Sequence, residues 1–215
     1  MFFEAIFHRM FIKGEPDRVR EVFDYIKGWP GDNELFDLDS IIPIPECIRI
    51  SAELEKLGRT IETCGQIEIQ DYKERCADSE RRCLIETGYS DRFEWTMSQW
   101  GTPWNVCEVG RSDNVPDTIY FISMGTSPFN PLLELSRLFP DVVIVLDYCD
   151  QCWSLLGRAV LVEGDGSNEH YSSNSAAGEN IQEELKNFVD SRDEPEICTS
   201  SIDEDDEWPS IIYVD

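Results

Sequence analysis

Positive charge is scarce in this sequence. Its 215 residues include 18 lysines and arginines against 44 aspartates and glutamates, which gives a formal net charge of −26. Direct binding to DNA or RNA is therefore not expected, because such binding depends on basic side chains that neutralise phosphates. Anionic membrane surfaces are excluded for the same reason. A surface this acidic serves solubility, or it presents a negative field to a basic partner protein.

Long apolar runs are also missing. No stretch approaches the roughly 20 residues that a helix needs to cross a bilayer. The apolar start of the chain is interrupted by Glu4, His8 and Arg9. It has neither a basic leader nor a small-residue cleavage site, so we interpret it as a strand rather than a signal peptide. These features predict a cytoplasmic protein with no membrane partner.

Histidine is rare, and the residue patterns of common active sites are missing. The two histidines are His8 and His170, and neither stands in a Ser/His/Asp or Cys/His context. The glycine-rich stretch EGDGSNE carries acids that would repel a phosphate. The acidic stretches DGSNE and DEDDE lack the twelve-residue pattern of a calcium loop. The sequence therefore predicts a protein without enzymatic activity, cofactor or bound metal.

Cysteine, by contrast, is plentiful. The eight cysteines are expected to be free thiols, many of them buried as small apolar groups. Cys149 and Cys152 form the one Cys-x-x-Cys pair. A zinc ribbon needs a second pair with this spacing, and a redox pair opens a helix, whereas the strand-like SLLGRAVLVEG follows here. A structural role is favoured, while metal binding and redox activity of this pair stay open.

Hydrophobic periodicity predicts a mixed chain of strands and helices. The predicted strands are 5–13, 105–109, 117–124, 142–149 and 154–164. The predicted helices are 15–28, 51–58, 71–88, 90–99, 126–139 and 180–190. Pro43 and Pro45 exclude a regular helix or a central strand just before the second helix.

This order predicts an α+β, ferredoxin-like (split βαβ) fold, in which an antiparallel sheet carries its helices on one face. A helical insert at about 31–99 would separate the first helix from the second strand. Residues 1–163 would form this domain. Residues 164–215 would form an acidic extension made of a turn-rich linker, one amphipathic helix and a tail.

Acidic residues are concentrated at the end of the chain. Residues 163–215 contain 16 acidic and 2 basic residues. The tail holds a run of five acids followed by a tryptophan: Asp203, Glu204, Asp205, Asp206, Glu207 and Trp208. One interpretation is a flexible acidic tail. The other is a docking arm, in which the acids steer a basic, nucleic-acid-binding protein towards the chain and Trp208 anchors it.

The stretch QWGTPWN at residues 99–105 combines two tryptophans with a glycine and a proline. Trp100 and Trp104 could stack a base or another planar ligand between them. Alternatively, Gly101 and Pro103 set a turn and the two indoles pack into the core. The core-packing interpretation is favoured.

Four segments together resemble the YubB ferredoxin-like domain family: FIKGEPDRVREVF, FDLDSIIPIPECI, WTMSQWGTPWNV and ISMGTSPFNPLLELSRLFPDVVIVLDY. They span about residues 5–150 in the family's order. This chain has Pro103 where the family has a lysine between the tryptophans, and His8 where an asparagine is usual. The resemblance implies the ferredoxin-like fold and a phage, prophage or plasmid setting, and it brings no enzymatic activity with it.

Charge, missing catalytic patterns and the resemblance together predict a non-enzymatic, protein-binding inhibitor from a phage or mobile element. Its acidic, nucleic-acid-mimicking surface would act on a host defence or nucleic-acid-processing complex, in the manner of anti-CRISPR or anti-restriction proteins. Two alternatives stay open. One is a module that binds a nucleotide-like small ligand at the Trp turn, and the other is an accessory or structural protein of a mobile element.

Overall fold

The computed structural model describes residues 3–28, 34–61, 66–111 and 115–190, and of residues 55–61 and 66–71 it describes the backbone alone. Its strands are β1 (Ala5–Lys13), β2 (Cys107–Arg111), β3 (Thr118–Met124), β4 (Val143–Asp150), β5 (Leu156–Val162) and β6 (Asp165–His170). Its helices are α1 (Pro16–Tyr25), α2 (Glu46–Ile61), α3 (Gln66–Thr87), α4 (Arg92–Gln99), α5 (Phe129–Leu138) and α6 (Ala176–Asp190).

Six strands of the described residues form one sheet in the order β2-β3-β1-β4-β5-β6. Every neighbouring pair is antiparallel. In the centre, Phe7 of β1 lies opposite Ile122 of β3 on one side and opposite Cys149 of β4 on the other. The expected α+β class with an antiparallel sheet is confirmed.

The main core lies on one face of the sheet, beneath α1 and α5. Side chains alternate between the two faces of a strand, and Met10 and Ile12 of β1 point into this core. Val22 of α1 and Leu135 of α5 meet them there. The apolar spacing of both helices places such residues on one side, which accounts for the amphipathic patterns in the sequence.

A second core lies on the opposite face, beneath α6. It contains Phe7 of β1 and Cys149 of β4, and α6 contributes Ile181, Leu185 and Val189. The two helices of the predicted ferredoxin-like domain, α1 and α5, share the main core, whereas α6, which belongs to the predicted C-terminal extension, covers the opposite face. An amphipathic pattern shows that a helix has one buried stripe but not which face of a sheet receives it. Burial on both faces also explains the nearly continuous apolar run of β4.

The helical insert between α1 and β2 consists of α2, α3 and α4, as expected. The second helix begins at Glu46, directly after Pro45, so it is longer than the predicted 51–58. Proline is accepted at a helix start because the first amides have no helical partner. The side of α2 that carries Cys47 and Ile48 packs against the main core.

The polar stretch after residue 163, expected to be a linker or loop, contains β6. Glu163 and Gly164 both have positive φ, of 54° and 78°, and they join β5 to β6 as a two-residue hairpin turn. Such turns require left-handed backbone at both positions. Strand propensity did not predict β6, because its six residues DGSNEH are polar and all exposed.

Candidate partner-binding surface

A buried carboxylate lies between the sheet and α6. Asp147 of β4 is fully buried and accepts hydrogen bonds from Arg9 Nη2 at 2.8 Å and from Arg158 Nη2 at 3.0 Å. Arg9 also pairs with Glu184 of α6. The pair between Arg9 and Glu184 holds α6 on the sheet. Because two guanidinium groups and two carboxylates balance in charge, the network leaves no excess positive charge beneath the helix.

The outer side of α6 and the neighbouring β6 hairpin are acidic. Residues 163–190 contain seven acidic residues, and Lys186 is the one lysine or arginine among them. Glu184 is used in the network with Arg9, and the other six acidic side chains are exposed. We call this set the α6–β6 acidic surface: Glu163, Asp165, Glu169, Glu179, Glu183 and Asp190.

A groove runs along the outer side of α6 next to the turn between β4 and β5. Its volume is about 410 Å³. One wall is the half-buried Trp153, which adopts a positive φ of 58°. The α6 wall is formed by Glu179, Gln182, Glu183, Lys186 and Asp190. An aromatic ring beside several carboxylates favours cationic side chains over anionic ones.

Elsewhere on the surface, many basic side chains pair with acidic neighbours. Arg18 is held by Asp141 at 2.6 Å and by Glu21. Further pairs are Arg20–Asp17, Lys27–Asp24, Arg49–Asp39, Arg81–Asp78, Arg82–Glu86 and Arg137–Glu134. Exposed pairs of this kind contribute little stability. They do neutralise positive charge locally, so the excess of acid dominates the field around the protein.

The two tryptophans of the QWGTPWN turn have different surroundings. Trp100 is fully buried, and its Nε1–H donates to the Ile42 carbonyl at 2.9 Å. Trp95 packs edge-on against it at 5.7 Å. A ligand could not stack on Trp100 without opening the core. Trp104 is half-buried, with its ring edge-on to Phe3 at 5.3 Å.

The same turn fastens the insert to the sheet. Gly101 takes a positive φ of 79°, and Thr102 donates its hydroxyl hydrogen to the Met124 carbonyl of β3 at 3.0 Å. Asn105 donates to Asp37 at 2.6 Å and accepts from the Leu38 amide at 3.0 Å. The geometry supports the core-packing interpretation of this motif.

His8 lies in the core. Its ring stacks on Phe121 with centroids 4.6 Å apart, and its Nε2 lies 3.0 Å from the Ser127 hydroxyl. Burial lowers the pKa of His8 to about 3, because desolvation penalises the charged imidazolium. A fully buried histidine whose imidazole stays neutral is a packing residue. His170 is exposed on β6, and its Nδ1 lies 3.2 Å from the Tyr148 hydroxyl.

The Cys-x-x-Cys pair is divided between the interior and the surface. Cys149 is fully buried in β4, whereas Cys152 is exposed in the following turn. Burial raises the pKa of the Cys149 thiol, which disfavours the reactive thiolate. Cys107 in β2 is disulfide-bonded, so the expectation of a free thiol is wrong for this residue.

The remaining predicted contact, the tail from Asp203 to Trp208, lies outside the described residues and stays a prediction. Among the residues that are described, no cluster of three or more His, Cys, Asp or Glu side chains could hold a metal ion. None of the described helices combines the length and apolarity that a membrane span requires.

Comparison with known proteins adds little. No family model matches the sequence, and no curated protein matches it. Among solved structures, the crystal structure of protein api92 from Yersinia pseudotuberculosis, described with the family model DUF1281, is similar with a TM-score of 0.47 and 11% identity. The similarity covers 80% of this chain and 99% of that one. A likeness of this size carries no conclusion on fold family or function.

Proposed function

We propose that this protein is a non-enzymatic inhibitor that binds a basic, nucleic-acid-binding protein through an acidic surface that imitates nucleic acid. The observation that carries the proposal is the α6–β6 acidic surface. There, six exposed carboxylates share one continuous segment with a single lysine. These exposed carboxylates carry the same negative charge as a phosphate backbone, so they can bind in a basic groove.

The charge network beneath α6 supports this function. Arg9 and Arg158 are bound to Asp147, and Arg9 also to Glu184, so they do not compete with a partner's basic side chains for the outer carboxylates. The network also fixes α6 to the sheet. A fixed array of charges binds with less loss of side-chain and loop freedom than a mobile one.

The proposal extends to the fold family and its setting. Within the sheet, the order β2-β3-β1-β4, with α1 following β1 and α5 joining β3 to β4, supports a ferredoxin-like unit extended by β5 and β6. Together with the resemblance to the YubB domain family, it supports a phage or plasmid protein acting in the host cytoplasm on a defence or nucleic-acid-processing complex.

The experiment is a comparison of three immobilised full-length chains in a bacterial lysate at low salt. The first is the wild type. The second neutralises three acids of α6: Glu179→Gln, Glu183→Gln and Asp190→Asn. The control removes the same charge from exposed positions elsewhere in the described residues: Glu4→Gln, Glu53→Gln and Glu80→Gln. Matching the charge change separates a local surface from net charge.

We expect the wild type and the control to capture the same nucleic-acid-binding protein, and we expect the α6 variant to lose most of it. Moderate salt should release the captured protein, because the attraction between exposed charges is screened. The captured protein should also lose its DNA or RNA binding when the wild-type chain is added. Equal capture by the α6 variant and the control would contradict the proposal, as would a captured protein that still binds nucleic acid.

A further inference from the structure

Strand β6 ends the sheet on the side away from β2, and all six of its residues are exposed. The edge of a sheet carries backbone N–H and C=O groups that can pair with another strand. Native edges are commonly short, covered or charged to prevent unwanted pairing. The charged side chains of β6, Asp165 and Glu169, are both acidic. This edge therefore favours the addition of strands with basic side chains.

The ladder between β5 and β6 shows which backbone groups face outward. The Tyr171 amide donates to the Leu156 carbonyl at 2.9 Å, which makes these two residues a hydrogen-bonded pair. Along an antiparallel ladder, hydrogen-bonded pairs alternate with non-hydrogen-bonded pairs. By this alternation Ser167 and Glu169 are bonded to β5, opposite Val160 and Arg158. The amides and carbonyls of Asn168 and His170 therefore point away from the sheet, and among the described residues they have no partner.

A side chain from the interior of the sheet holds β6 in position. Tyr148 of β4 reaches across β5 and donates its hydroxyl hydrogen to Asn168 Oδ1 at 2.7 Å. It can do so because Gly157 lies in its path, where a Cβ atom would stand 2.3 Å from the Tyr148 hydroxyl. The edge is thus fixed as a strand before any partner binds, which reduces the ordering that binding requires.

The charges on β6 determine which kind of strand can pair with this edge. In a two-fold pairing of β6 with a second copy that overlaps residues 165–169, Asp165 of each chain would face Glu169 of the other. Like charges directly opposite each other destabilise a strand pair. A strand that carries lysine or arginine at those positions would instead gain two cross-strand ion pairs.

We propose that β6 is a docking edge at which an extended, lysine- or arginine-bearing segment of the partner adds as a further antiparallel strand. The inference rests on the proposed function, since it names how the basic partner engages this part of the α6–β6 acidic surface. Backbone hydrogen bonds to Asn168 and His170 would supply the affinity, and Asp165 and Glu169 would select basic side chains on the face that α6 covers.

The test uses a fluorescent peptide of seven residues that alternates valine with lysine, and the same peptide with glutamate in place of lysine. Asn168→Pro removes the outward amide and leaves the β5 ladder intact, since an edge strand accepts proline where its N–H faces solvent. Asn168→Ala is the matched control, because it loses the same bond from Tyr148 but keeps the amide.

We expect the lysine peptide to bind the wild type and Asn168→Ala, and to bind Asn168→Pro about fivefold more weakly or worse than Asn168→Ala. The glutamate peptide should not bind. Equal affinities for the proline and alanine variants would overturn the inference. Because Asn168→Pro could disturb the hairpin, hydrogen exchange of the wild type provides a second measurement. The lysine peptide should slow exchange at the Asn168 and His170 amides, and unchanged exchange at both would also overturn the inference.

Failure of this inference and failure of the proposed function are distinguishable. If Asn168→Pro captures the lysate protein as well as Asn168→Ala does, while the α6 variant loses it, strand addition is wrong and the acidic inhibitor stands. If the α6 variant and its charge-matched control capture equally, the proposed function itself is wrong.

Discussion

Replacing His8 by glutamine is expected to change how the stability of the fold depends on pH. In the folded chain the pKa of His8 is lowered by burial from 6.5 to about 3. Between these two values the unfolded chain binds a proton at this position and the folded chain does not. The free energy of unfolding therefore falls by about 1.4 kcal/mol for each unit as the pH decreases through this window. Above the unfolded pKa, the histidine contributes no pH dependence.

Glutamine isolates this effect because it does not titrate and can still hydrogen-bond to Ser127. Urea unfolding of the wild type and of His8→Gln is measured at several values between about pH 7.5 and pH 5. The carboxylates are common to both chains, so their contributions cancel in the difference. From about pH 7.5 to pH 5 the wild type should lose about 2 kcal/mol more than the variant. Parallel stability curves for the two chains would refute a buried, neutral His8.

Three further substitutions test the packing. Trp100→Ala should lower the free energy of unfolding by about 3–5 kcal/mol, because it empties a fully buried site; a loss below about 1 kcal/mol in urea unfolding would contradict that placement. Asp147→Asn should cost about 3–5 kcal/mol by leaving two guanidinium groups without their shared carboxylate, and faster amide exchange in α6 would accompany it. Gly157→Ala should lower the melting temperature and speed amide exchange in β6, since its Cβ would meet Tyr148. An unchanged melting temperature and unchanged exchange in β6 would argue against this close contact.

Sequence periodicity was a good guide to most of the elements, because β1, β4, α1 and α5 each bury an apolar stripe or run. The same reasoning missed β6, whose residues are polar. The signal that was available is the dipeptide Glu163–Gly164 directly after a strong strand, since a glycine in a two-residue loop is typical of a hairpin turn. The placement of α6 on the second face depends on long-range packing, which one amphipathic pattern does not encode.

For the candidate surface, composition predicted the sign of the charge but not its arrangement. The abundance of acids made Asp147 look unremarkable in the sequence, although it is the buried member of the network that holds α6. The network forms because the strand register places Arg9 and Arg158 opposite Asp147 on the two neighbouring strands. This register cannot be derived from composition. The sequence prediction placed the contact in the tail from Asp203 to Trp208, and the structure adds the α6–β6 acidic surface as a second candidate.

The proposed function requires the acidic surface to occupy the same groove as nucleic acid. It can be tested by competition, using a captured nucleic-acid-binding protein, labelled duplex DNA or RNA, and increasing amounts of the full-length chain. We expect the chain to displace the labelled nucleic acid completely and the α6 variant to displace it poorly. Added salt should weaken the inhibition. A stable ternary complex, in which the captured protein holds both the chain and the nucleic acid, would contradict it.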